Sequence, residues 1–315
     1  MNMPNEPDKY AWCYVSGRVA AMEGDFLSSA TLNNLTELYG SEALLRGIGE
    51  TPYREFFHST EDLHDAEAVL MSLWQQHLRE LRAVCPTPEV PDLFVLDAEF
   101  QNYKSFLKAR FFDLPQVRQP VGHYDEEDYE RLLEGLATPL YDLFGPGTAQ
   151  FRAEHEAGDA MPTTVDWIFD AVYLARLVEA GEATGSEIIA RYSRSTAALK
   201  TAEIILRAQD EERQMEKLRG LFLPNLPDEL ADLGGGMIDA PEETQLEPLR
   251  EILNEQQVRA LGHAAQNQTR PEALAYTVRQ IAFDLTVPAR MVTFGPERVF
   301  AFLIELQNEL SNLKA

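Results

Sequence analysis

A short helical signature returns four times along this chain, and it constrains the fold more than any other feature. It reads small residue or Asn, any residue, then Lys or Arg: Ser16-Gly17-Arg18, Asn102-Tyr103-Lys104, Ala198-Leu199-Lys200 and Asn312-Leu313-Lys314. Their basic residues stand 86, 96 and 114 positions apart. Each copy lies in a segment with helical periodicity; around the second, Phe100, Tyr103, Phe106, Leu107 and Phe111 are spaced to share one face. One helix repeated at domain-sized intervals predicts stacked helical units that build a scaffold, not a catalytic cleft.

The rest of the chain reads as helix after helix. Amphipathic runs cover residues 10–22, 63–83, 97–112, 125–144, 164–180, 186–216, 272–283 and 296–313. Thr163 or Thr164 is placed to cap the helix that Asp166 enters, and Pro271-Glu272 and Pro296-Glu297 put proline in a first turn beside an acid. Gly145-Pro146-Gly147, Gly181 and Gly234-Gly235-Gly236 are expected to break the pattern into loops, the last within an acidic loop over 230–247. Strand-like alternation is almost absent, and residues 91–96 are a short apolar lead into the 97–112 helix. The expectation is an all-α protein.

Its 315 residues are enough for a large core or for several smaller ones. Against 27 basic residues stand 52 acidic ones, a formal charge of −25 that opposes binding to nucleic acid or to anionic membrane surfaces. No run approaches the roughly 20 apolar residues of a membrane-spanning helix, and residues 1–9 lack the pattern of a signal peptide. Cys13 and Cys85 match no disulfide or metal spacing. A soluble, intracellular protein is expected from these features.

Catalytic patterns are weak. The chain has no phosphate-binding Gly-x-x-x-x-Gly-Lys-Ser/Thr loop, no Gly-x-Gly-x-x-Gly after a strand, no nucleophile elbow and no His-Glu-x-x-His helix. His58 and His64, near Glu61, Asp62 and Asp65, are out of phase on a helix and do not converge on one ion. Glu154-His155-Glu156 reads as a charged, solvated, loop-like stretch. Asp166 and Asp170 face the same way on a helix and read as polar partners for Arg176 or for a neighbouring subunit. The densely charged stretch 209–219 reads as a solvated face or a subunit contact. No catalytic residue, cofactor site or metal site is expected.

The two ends and the middle carry a family resemblance. Residues 294–314 open Gly295-Pro296-Glu297 and close Glu309, Asn312, Leu313, Lys314. This resembles the closing helix of the V/A-type ATPase (ATP synthase) central-stalk subunit, called C in prokaryotes and d in eukaryotes, with Lys314 where arginine is usual. Residues 10–22, with Tyr10, Tyr14, Val15, Arg18 and Met22, are similar to that family's opening segment, with an extra residue between the aromatics. Asp97, Asn102 and Lys104 resemble its Asp-x-x-Asn-x-Lys helix, with the aspartate one residue further upstream. Asp166, Asp170 and Tyr173 resemble its Asp-x-x-x-Asp-x-x-Tyr segment. The third copy departs most, with Ala198 in the Asn position.

The resemblance implies three similar helical-bundle domains in a pseudo-threefold funnel, divided here as 1–96, 97–190 and 191–315. It implies a non-catalytic rotor subunit, a socket or spacer on the cytoplasmic face of the membrane. Its partners would be the central-shaft subunits D and F and the membrane rotor-ring subunits, so that torque links ATP hydrolysis or synthesis to ion transport. Arg18, Asn102, Lys104, Lys200, Asn312 and Lys314 are read as repeated architectural positions, and loops between the signature helices as the partner-facing parts. The alternative is a helical-repeat adaptor unrelated to rotary ATPases.

Overall fold

The computed structural model describes residues 9–57, 66–208, 212–266 and 272–314. Among them there are helices and no strands, so the chain is all-α. Contacts divide it into two compact units: residues 1–94 with 286–315, and residues 95–285. His58 and His64 lie outside the described residues.

The first unit contains α1 (Lys9–Met22), α2 (Ser29–Thr36), α3 (Ser41–Ile48), α4 (Arg54–Phe57), α5 (Ala66–Val84), α15 (Val287–Arg290) and α16 (Pro296–Lys314). α16 begins at Pro296, where a missing N–H leaves no helical bond unmade, with Glu297 beside it on the positive end of the helix. Val299, Phe300, Ala301, Phe302 and Leu303 are buried consecutively, so this stretch is enclosed on every side. α1 and α5 pack on it, and Val15 and Val19 of α1 and Leu73 and Leu81 of α5 are buried. Phe302 stacks on Phe26 at 5.4 Å between ring centroids, and Phe94 stands between Trp74 and Phe300.

α6 (Glu89–Phe112) runs from one unit into the other. The second unit adds α7 (Glu126–Leu133), α8 (Tyr141–Glu156), α9 (Pro162–Ala183), α10 (Glu187–Ala208), α11 (Glu212–Leu221), α12 (Asp228–Asp239), α13 (Glu255–Ala265) and α14 (Glu272–Asp284). Its core is aromatic at one end, where Tyr103 stacks on Phe144 at 4.5 Å and meets Phe169 edge-on at 5.2 Å. α9 and α10 pair along their length.

Several elements differ from the expectations, each for a physical reason. Residues 91–96 belong to α6, because Pro91 falls in the first turn, where no N–H is needed. The 125–144 run is broken after α7 by Gly135 at φ 72°, and Asp125 with Asp128 forms a capping box at the start of α7. Thr164 does not begin α9; its hydroxyl accepts from the Met161 N–H one turn back.

The three glycine breaks are all helical. Within α8, Pro146 leaves the Asp142 carbonyl without its helical donor, and the Arg176 guanidinium from α9 donates to that carbonyl instead. Gly147 lets α8 approach α9, since a Cβ there would lie 2.9 Å from Phe169 and 3.2 Å from Ile168. Gly181 lies inside α9 against Ser193 of α10. Gly234 lies inside α12, where a Cβ would meet Leu223 at 2.7 Å, whereas Gly235 beside it faces open space. The acidic loop expected over 230–247 is therefore α12 as far as Asp239.

These environments give a paired prediction. Gly147→Ala should lower stability by about 1–3 kcal/mol through overpacking. Gly235→Ala should raise it by about 0.5–1 kcal/mol, because alanine loses less freedom in a helix and meets nothing. Urea denaturation of the two variants, followed by circular dichroism, checks both signs.

Candidate functional site

The signature residues act through different contacts. Lys104, buried on α6, reaches α9, where its ammonium donates to Asp170 Oδ1 at 2.6 Å and lies 3.2 Å from Asp166 Oδ1. One turn on, Lys108 donates to both Asp166 oxygens at 2.7 Å. Burial alone would lower the Lys104 pKa, but the two carboxylates outweigh it and hold the ammonium above its ordinary value. Asp166 and Asp170 therefore partner lysines of their own unit, while Arg176 pairs with Glu179 at 2.6 Å.

Asn102, also buried, works on the loop that follows α6. Its amide nitrogen donates to the Gln119 and Val121 carbonyls at 3.1 and 3.3 Å, and its oxygen accepts from the Gln119 N–H at 2.6 Å. Ser105 accepts from the Val117 N–H at 2.7 Å. Glu99 accepts from the backbone N–H of His123, whose ring lies 3.2 Å from the same oxygen. Three side chains on one face of α6 thus hold residues 117–123 as a strap without regular structure. Gly122, at φ 156°, brings the strap close enough that a Cβ would stand 2.9 Å from Asn102 Nδ2.

The other copies do not repeat this arrangement. Arg18, half-exposed on α1, pairs with Glu80 of α5. Lys200 pairs within its own helix with Glu203 at 2.9 Å, and Arg207 meets the same buried carboxylate at 2.5 Å. Ala198, where the second copy has Asn102, is buried in the core. Asn312 is exposed. The side chain of Lys314 lies outside the described residues.

The motif residue that ties the first unit together is Glu309, buried on α16. It accepts from the Tyr53 hydroxyl and, at 3.0 Å, from the Leu27 N–H, so two loops converge on one carboxylate. Nearer the start of α16, Arg298 pairs with Glu23. Glu154, His155 and Glu156 belong to the last turn of α8 rather than to a loop, and the His155 ring packs edge-on to Phe111 at 4.8 Å. No group of three or more His, Cys, Asp or Glu side chains among the described residues is placed to hold a metal ion. None of their helices is long and apolar enough to cross a membrane.

Sequence reasoning singled out Lys104, Asn102, Asp166 and Asp170 but missed Glu99, Ser105, His123 and Tyr53. The spacing of Glu99, Asn102 and Ser105, three apart on one helical face, was the available signal for the strap. Apolar side chains remain exposed at Tyr14 on α1, at Val287, Met291 and Phe294 around α15, at Leu114 before the strap and at Val117 within it.

Two predictions follow from these ties. Lys104→Met leaves the half-buried Asp170 without its cation and should cost about 3 kcal/mol; adding Asp170→Asn should recover part of that loss in a double-mutant cycle. Burial raises the pKa of Glu99 and of Glu309 above the ordinary 4.5, so the folded chain holds these protons more tightly than the unfolded one. Their contribution to stability is greatest below about pH 4.5 and falls as pH rises toward the folded-state values. Glu309→Gln, whose amide can accept from Leu27 and donate to the Tyr53 oxygen, should flatten the stability–pH curve above pH 4.5. The variant-minus-parent difference isolates that effect from general acidic repulsion.

The description ATP synthase (C/AC39) subunit belongs to a protein family whose model matches residues 15–315. No curated protein matches the chain.

Proposed function

Because this chain belongs to the ATP synthase (C/AC39) subunit family, we propose that it is the non-catalytic rotor subunit that seats the central shaft on the membrane rotor ring. The family match over residues 15–315 carries the reading. On it, shaft subunits D and F bind one part of the molecule and the ring subunits another, at the cytoplasmic face, and torque passes through the helices between them. The division into three similar domains, at 96/97 and 190/191, is part of the same proposal. So is the architectural role of Arg18, Asn102, Lys104, Lys200, Asn312 and Lys314, which the ion pairs of Arg18 and Lys104 between helices support.

Two physical features suit such a part. A torque-bearing element must resist shear between its helices, and close-packed aromatic cores crossed by side-chain ties do so. The charge of −25 favours association with basic surfaces and would steer the subunit onto basic loops of shaft or ring. Exposed apolar residues outside the long helices, at Leu114, Val117, Val287, Met291 and Phe294, are the side chains we assign to partner contacts.

The test is co-purification of the full chain with the D/F shaft pair and the detergent-solubilised ring from the same source. One copy should bridge the two in a ternary complex, with association rates falling steeply as salt is raised. A folded, helical chain that binds neither partner would overturn the proposal.

A further inference from the structure

The strap over residues 117–123 is held to α6 by three side chains, and only one of them titrates. Asn102 and Ser105 bind it through an amide and a hydroxyl, which stay neutral at ordinary pH. Glu99 binds it through a carboxyl group and is 3% exposed. Its Oε1 accepts from the backbone N–H of His123 and lies 3.2 Å from the ring Nδ1. Its Oε2 is buried with no hydrogen-bond partner.

This uneven supply of donors bears on the protonation state. An ionised carboxylate only accepts, and when it is buried both oxygens need donors. A carboxylic acid needs them on its carbonyl oxygen alone, because the other oxygen carries a proton of its own. Glu99 has the second pattern. The hydroxyl of Tyr129 on α7 is also buried without a partner, so it gives Oε2 no bond. The strap covers that oxygen with Gly122, where a Cβ would lie 3.2 Å from it.

Two cationic groups of the strap favour the ionised form. One is the half-exposed His123 ring, charged only when protonated, and the other is Arg118, exposed and donating to the Tyr124 carbonyl. Tyr124, with Tyr129 and Asp128 of α7, completes the titratable surroundings. Burial outweighs both cations and raises the pKa of Glu99 above the ordinary 4.5. Opening the strap would admit water to both oxygens and remove that penalty, so the closed form holds the proton more tightly than the open one. Closure is then favoured most below about pH 4.5 and loses favour as pH rises through the closed-state value.

We propose that residues 117–123 are a pH-sensitive latch, closed over Glu99 in its carboxylic acid form and loosened when that group ionises. The strap carries Val117, so its release would displace one of the apolar side chains assigned above to partner contacts. That consequence rests on the rotary-ATPase reading; the latch does not, and its test uses the chain alone.

Hydrogen exchange of the Val117, Gln119 and His123 amides, each bonded to a side chain of α6, reads strap opening directly. It is measured on the full-length chain between about pH 5 and pH 8, the range in which a buried carboxyl group ionises, and corrected for the intrinsic pH dependence of exchange. The amides of Ile168 and Phe169 in α9 report opening of the whole unit. The strap opening constants should rise with pH by up to about tenfold per unit, the limit for one proton, and the α9 amides should change less. Glu99→Gln, which keeps a carbonyl acceptor and cannot ionise, should make strap opening independent of pH. His123→Ala, which removes the ring and leaves the backbone donor, should keep the rise.

Strap opening that is constant with pH, that falls as pH rises, or that runs in parallel with the α9 amides would overturn the proposal. So would a rise that survives Glu99→Gln, or one that disappears with His123→Ala, because histidine would then be the titrating group.

Discussion

The ammonium of Lys104 is the point on which the second unit depends. It leaves α6 in mid-helix, in the same turns that send Tyr103 into the aromatic cluster with Phe144 and Phe169. It ends between two carboxylates of α9, while Asn102, two residues earlier, bonds the strap to the same helix. α6 thus faces three ways at once, toward core, neighbour helix and loop, and each face is fixed by no more than a few side chains. An ion pair of this kind adds little net stability over an apolar alternative. What it supplies is registry, since a slip of α6 against α9 by one turn would leave a buried lysine and an aspartate without partners.

The first unit reaches the same end by another route. α16 is enclosed by apolar side chains over residues 299–304, and its Glu309 receives donors from Tyr53 and from the backbone at Leu27. Segments close to the beginning of the chain are fastened to a helix close to its end. Here the tie is a carboxylate accepting neutral donors, and burial raises its pKa. The two ties therefore answer differently to pH: Lys104 is held in its charged form by its partners, whereas burial works against the charged form of Glu309.

The all-α class was legible because apolar spacing at helical period continues through nearly the whole sequence, and the start of α16 was legible from Pro296 and Glu297. The glycine clusters misled, for reasons outside their own segments. A proline in mid-helix is tolerated when a distant donor takes the carbonyl it abandons, as Arg176 does for Asp142, and no local pattern announces that donor. Gly147 and Gly234 serve contacts with other helices. The short helices α2 and α13 carry readable caps, Ser28 with Thr31 and Asn254 with Gln257, but too few apolar residues to register as periodic runs. At the candidate site the sequence marked Lys104, Asp166 and Asp170 separately; pairing them needed the packing of α6 on α9. Glu99 and His123 lie 24 residues apart, and only the fold of the strap brings them together.

Membership in the ATP synthase (C/AC39) subunit family makes the mechanical reading the central claim, and coupling is its most direct expression. The measurement is ATP-driven ion transport in vesicles carrying the reconstituted rotary complex, with this chain left out or added back, alongside ATP hydrolysis in the same preparation. Without the chain, hydrolysis should continue while transport stops, and adding the chain should restore transport. Transport that proceeds unchanged in its absence would contradict the account.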